Sequence, residues 1–307
     1  MLLYLVKMGT IDWTSLSGLL RVWPYTLLAI VLFFTATILQ ALRLQILIKV
    51  HQMSLSYMAS IKLTLIGLFF STYLPGATGG DLVKIYYASK DNPGSKAEVV
   101  TILFLDRFIG LFSLLTLPLL LAPFFIELIL SQVILKGLLA ISFATSLCII
   151  LVTFLGAKLD LAGSKLIYWL DNKISFGCHL SRVLLTIHHY RASLDVLIKA
   201  LLMSYFLQLL MVGVSLAIAQ ATNISGAEFK MLLLVPMGYM ANSLPITPGG
   251  LGVGEAAMES LFLLGGLTGG AETILGWRLV MIIVGLLGLV FYLNGNKKFF
   301  SSSESSL

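Results

Sequence analysis

The sequence predicts an all-α, polytopic membrane helix bundle of about eight segments, with two broken, re-entrant hairpins arranged as an inverted repeat. Three observations carry that expectation. Hydrophobic residues fill 58% of the 307 positions and charged residues 11%, whereas a soluble chain carries roughly 25% charged residues. Mean hydropathy is +0.99, and apolar runs of membrane-crossing length recur from end to end. Two of those runs end on one pattern, L-P-x-x-x-G-G, in Leu74-Pro-Gly-Ala-Thr-Gly-Gly-Asp81 and Leu244-Pro-Ile-Thr-Pro-Gly-Gly-Leu251. Backbone rich in Pro and Gly is tolerated at membrane depth only where protein buries it or it lines a wet cavity.

In order, residues 1–23 are mixed, with Lys7, Asp12 and Arg21, and read as a clipped first helix with no signal-peptide pattern. The first full span is 24–42, followed by Arg43 and Lys49. Residues 57–74 form a second run, interrupted by Lys62 and ending at the first break. Span 99–124 carries Asp106 and Arg107, and 134–155 follows. Segment 156–195 is polar and basic, with Leu166, Ile167 and Leu170 interspersed, which suits an amphipathic helix on an anionic lipid surface. Runs 196–220, 229–244, 254–267 and 272–293 complete a single membrane domain over 1–298. The serine-rich end, 299–307, is too polar to pack and reads as a disordered tail.

The net charge of +6 fits basic loops beside anionic lipid and gives no sign of nucleic-acid binding. Cys148 and Cys178 have neither disulfide nor zinc spacing. No metal or cofactor is expected. Lys and Arg place 43–56, 84–98, 156–195 and the C-terminus in the cytoplasm. With 43–56 and 84–98 on one side, the chain between them must dip in and return. Counting back from the C-terminus makes 229–267 a second hairpin, dipping from the opposite face. Opposed breaks of this kind point to a binding site near the midplane.

At the first break, a helix starting at Gly79 leaves unpaired N–H groups and a positive dipole end for an anion. Thr78 and Asp81 have capping-box spacing, and Lys84 adds a cation one turn on. The plainer alternative pairs Asp81 with Lys84. At the second break, Pro245 and Pro248 forbid a continuous helix, while Gly249, Gly250, Gly252 and Gly254 allow close approach. Glu255 falls in the first turn of the resumed helix and Glu259 four residues on, so one is protonated or a cation lies between them. The alternative pairs Glu255 with Arg278. Asp106 and Arg107 diverge by about 100° on a helix and need separate partners, with Gly110 admitting a neighbouring helix to Asp106. Arg43 and Lys62 read as snorkelling residues. The candidate substrate-binding set is therefore Pro75, Thr78, Gly79, Gly80, Asp81, Lys84, Asp106, Arg107, Pro248, Gly249, Gly250, Gly252, Glu255 and Arg278.

The chain resembles the flippase-like membrane domain found at the front of lysylphosphatidylglycerol synthases and as stand-alone proteins. The resemblance rests on Ala41-Leu-Arg43, the first break, Asp106-Arg107-Phe-Ile-Gly110-Leu and Pro248-Gly-Gly-Leu-Gly-Val-Gly-Glu255. It spans about 40 to 290 and implies movement of aminoacylated phospholipids or polyprenyl-linked intermediates between leaflets. Lys84 stands where the group tends to have arginine, and Gly254 where arginine is common before the glutamate. No synthase activity is carried over.

The expected function is thus a lipid flippase or scramblase of the plasma membrane, moving an anionic or modified phospholipid or polyprenyl phosphate. It is ATP-independent, with no G-x-x-x-x-G-K-[ST] in the chain, and Asp81, Asp106 and Glu255 are candidate proton carriers. A lipid synthase or glycosyltransferase is the expected kind of partner. A membrane-embedded lipid-modifying enzyme and a small-anion secondary transporter are the competing classes, though no H-E-x-x-H or paired-Asp metal motif supports the enzyme.

Overall fold

The computed structural model describes residues 21–51, 53, 55–73, 79–91, 96–158, 193–222, 228–243, 247 and 250–294. Pro75, Thr78, Pro248 and Gly249 lie outside the described residues, as do 1–20, most of the amphipathic segment at 159–192, and the tail. The described elements are all helical. They are α1 (Trp23–Val50), α2 (Tyr57–Tyr73), α3 (Gly79–Asp91), α4 (Lys96–Leu121), α5 (Ile126–Ser131), α6 (Val133–Lys158), α7 (Leu194–Ala221), α8 (Glu228–Asn242), α9 (Val253–Leu264) and α10 (Gly270–Asn294). A 3-10 turn, Ala122–Phe125, joins α4 to α5.

Among the described residues, five helical stretches are long and apolar enough to cross a membrane: Trp23–Val50, Glu98–Ser131, Val133–Leu151, Leu194–Ala221 and Gly270–Asn294. The chain is a multi-pass membrane protein. Large apolar side chains such as Leu130, Val133, Ile134, Phe143, Leu202 and Phe206 face outward, as helices bathed in lipid require. Hydroxyls inside these helices turn back on their own backbone: Thr37, Thr116 and Ser204 each donate to the carbonyl four residues earlier. That bond satisfies a donor that has no water to reach.

Each apolar run is helical close to its expected bounds, with two corrections. Lys84 lies on the helix expected from Gly79, and that helix, α3, runs on to Asp91, through half of the stretch 84–98 that the lysines mark as a cytoplasmic loop. The stretch between 124 and 134 contains the short α5. It follows Pro118 and Pro123, which remove backbone donors and let the end of α4 tighten into the 3-10 turn.

α1 and α7 pack on each other, and both bury small residues, Ala29, Ala36 and Ala41 on α1 and Ala200, Ala217 and Ala221 on α7, which suits the close approach that bilayer packing favours. Two pairs of shorter helices, α2 with α3 and α8 with α9, fold onto this frame. α2 has 17 residues and α9 has 12, about 25 Å and 18 Å at 1.5 Å per residue. Both fall short of the roughly 30 Å hydrocarbon core.

Both pairs lean on α10. Lys62 lies 6.0 Å over the Phe291 ring, the Leu65 carbonyl abuts Gly288, and the Phe69 backbone lies beside Gly285. So α2 runs antiparallel to the second half of α10, starting from its Asn294 end. The Met258 carbonyl abuts Gly270, and Glu255 reaches Arg278. So α9 runs antiparallel to the first half, from beside Arg278 toward the Gly270 end, where α8 begins. The two pairs therefore climb α10 from opposite ends. α2 finishes about one turn beyond Gly285 and α9 begins beside Arg278, close to the helix midpoint.

Candidate functional site

Asp81 stands in the first turn of α3. Its Oδ2 lies 2.7 Å from Nη1 of Arg107 on α4, an ion pair whose two side chains keep 31% and 38% of their exposure. The plainer expectation, an Asp81–Lys84 pair, therefore does not hold. Lys84 turns toward α2, where its stem lies over Gly67, a position with no room for a Cβ. It is 7% exposed, and its ammonium forms no hydrogen bond or ion pair among the described residues. Gly79 and Gly80 are buried beside it, Gly80 against the Gly67 carbonyl and Ser71 Oγ.

Behind this pair sits a closed network. Arg43 Nε donates to Asp106 Oδ1 at 2.7 Å, and Nη1 donates to Ser204 Oγ at 2.7 Å. Arg43 and Asp106 are 3% and 5% exposed, so the snorkelling expectation for Arg43 is overturned. α1 continues to Val50 and carries Arg43 inside the bundle, where only a carboxylate makes the burial tolerable. Gly110, one turn beyond Asp106, leaves the space over which the guanidinium lies. Asp106 and Arg107 thus bond to different helices, α1 and α3, as their divergence on α4 requires.

At the second break, Arg278 Nε donates to Glu255 Oε1 at 2.9 Å, and Nη2 donates to Asn242 Oδ1 at 2.9 Å. Glu255 Oε2 also accepts the Gly252 N–H at 2.6 Å, one half of a capping box, which glycine has no side chain to return. Glu255 is fully buried. Glu259 turns away and accepts the Ala271 N–H at 3.0 Å. The two carboxylates thus take separate partners, Glu255 the Arg278 guanidinium and Glu259 the Ala271 N–H. Gly250 and Gly252 have positive φ, 71° and 82°, which side chains beyond glycine rarely adopt. A Cβ on Gly250 or Gly254 would strike Asn242.

Two clusters result. Asp81, Lys84 and Arg107 gather at the first break with Asp106 behind them. Gly250, Gly252, Glu255 and Arg278 gather at the second. No ion pair joins the clusters among the described residues; α10 connects them by carrying both helix pairs. Sequence reasoning missed Asn242, Ser204 and Gly67. Asn242 had a signal, a polar residue closing an apolar run just before the break. Gly67 and Ser204 had none, because each matters only through a partner on another helix.

Residues 1–288 match the family model described as the lysylphosphatidylglycerol synthase TM region. No curated protein and no solved structure matches the chain.

Proposed function

We propose that this chain, which belongs to the lysylphosphatidylglycerol synthase TM-region family, is an ATP-independent lipid flippase or scramblase that binds an anionic lipid headgroup at the first break. The reading rests chiefly on one observation. Lys84 is 7% exposed and its ammonium has no counter-ion among the described residues, and burying an unpaired charge is costly. A headgroup phosphate would supply the missing charge, the α3 N-terminus beside it favours the same sign, and the acyl chains would stay in the bilayer.

The two short helix pairs, climbing α10 from opposite ends, support a pair of re-entrant hairpins in an inverted repeat that alternate in opening the site. The plasma membrane and a cytoplasmic C-terminus complete the reading. Coupling to protons through Asp106 or Glu255 loses support, since each carboxylate is buried against an arginine. A passive carrier is the better fit, and nothing in the geometry favours a lipid-modifying enzyme. A partner synthase or glycosyltransferase would feed such a carrier.

Proteoliposomes carrying an NBD-acyl phosphatidylglycerol test the reading by dithionite quenching. K84Q should slow translocation roughly ten- to hundred-fold, the loss of one charge-assisted hydrogen bond, while K84R retains it. An unchanged K84Q rate would remove the headgroup site. Uptake of free inorganic phosphate into lumen-sealed vesicles would favour the small-anion transporter, and a modified lipid product would favour the enzyme.

A further inference from the structure

Among the described residues, three ion pairs tie helices together, and they differ in kind. Arg43–Asp106 has side-chain exposures of 4% and 8%, and Ser204 locks it. Arg278–Glu255 has 11% and 0%, and Asn242 with the Gly252 N–H locks it. Arg107–Asp81 alone keeps about a third of each side chain open, 38% and 31%. It also stands one turn along α3 from Lys84, which has no counter-ion among the described residues. We infer that Asp81 is a tethered competitor for the headgroup. The incoming phosphate displaces the Asp81 carboxylate from Arg107 and binds Arg107 and Lys84 together; the carboxylate later reclaims Arg107 and discharges the lipid. The inference rests on the headgroup site proposed above and deepens it.

The chemistry favours exchange at this pair. Arg107 presents a fork that suits a phosphate as well as a carboxylate. Solvent-accessible pairs are weak enough to open, whereas buried, doubly bonded pairs are not. Asp81 is fixed to the α3 backbone, so it remains beside Arg107 at high effective concentration after it is displaced. Without that competitor the site would bind an anionic lipid tightly and release it slowly.

The test separates binding from turnover in reconstituted full-length protein. Equilibrium binding of NBD-acyl phosphatidylglycerol is measured in nanodiscs of phosphatidylcholine, and translocation of the same probe is measured in proteoliposomes. D81N should lower the half-saturating probe fraction several-fold and slow translocation at saturation. R107Q should weaken binding, and D81N/R107Q should lose the gain seen in D81N. D81E keeps the pair and should restore discharge. A D81N protein that binds as weakly as R107Q, or that no longer elutes as a folded species, would make Asp81 a structural tether and overturn the inference. K84Q keeps the two failures apart. If K84Q loses binding while D81N changes neither readout, the headgroup site stands and the competitor falls; if K84Q binds normally, the headgroup site itself falls.

Discussion

Gly67 has only a hydrogen where the Lys84 stem crosses α2, which makes a glycine with no chemistry of its own decisive for where a charge sits. Gly67→Ala should displace the flexible lysine chain without unfolding the bundle. Anion-dependent translocation should fall several-fold while the melting temperature in detergent shifts only slightly, because the obstructing atoms belong to a mobile side chain. Arg43 is the opposite case. Replacing Asp106 by Asn leaves a buried guanidinium without its counter-charge, a change that costs about 3–5 kcal/mol. Thermal unfolding should show a clear loss of stability, and R43Q/D106N should recover part of it. The sequence showed that Asp106 and Arg107 require different partners, because their divergence is a property of one helix. It could not show which partners, since Arg43 and Ser204 lie 63 positions from Asp106 and 161 from Arg43 respectively. Contacts at that range depend on how helices face one another, which local pattern does not encode.

Helices pack closest where backbone meets backbone. Gly80 lies against the Gly67 carbonyl and Gly288 against the Leu65 carbonyl, and neither neighbour can rotate away. Gly80→Ala should therefore push α3 off α2 at a cost of about 1–3 kcal/mol, typical of overpacking, and should slow translocation as well. Gly137→Ala in α6 is the matched control, with nothing within 4 Å of the added methyl. It should be neutral or stabilising by up to about 1 kcal/mol in the same melting experiment. Element bounds were largely legible because apolar runs and Pro-Gly strings are local. Loop 84–98 was misread because lysines were taken as markers of an aqueous segment. α3 buries Lys84 and carries Lys90 next to its last residue, while Lys96 opens α4, so charge density alone could not distinguish a packed leg from a loop.

Across the whole molecule, α10 is the shared support of both short helix pairs. Ser56 precedes α2 at the Asn294 end of α10, and Thr268 precedes α10 itself; both are exposed. In a background with Cys148 and Cys178 replaced by Ser, S56C and T268C should react with a membrane-impermeant maleimide from opposite faces. Labelling of both from one face would refute the opposed-hairpin arrangement. The duplicated L-P-x-x-x-G-G string made two broken pairs of short helices legible in outline, and their register on α10, which depends on contacts between distant helices, was not. That register also bears on how the protein is made. Glu255 emerges from the ribosome 23 residues before Arg278, so for a time α9 carries an unneutralised carboxylate, which costs about 2.5–3.5 kcal/mol at the centre of a bilayer. The second hairpin is thus poorly suited to enter lipid alone. It should wait at the translocon and insert together with α10, and nascent chains stopped between the two residues should be short-lived in the cell.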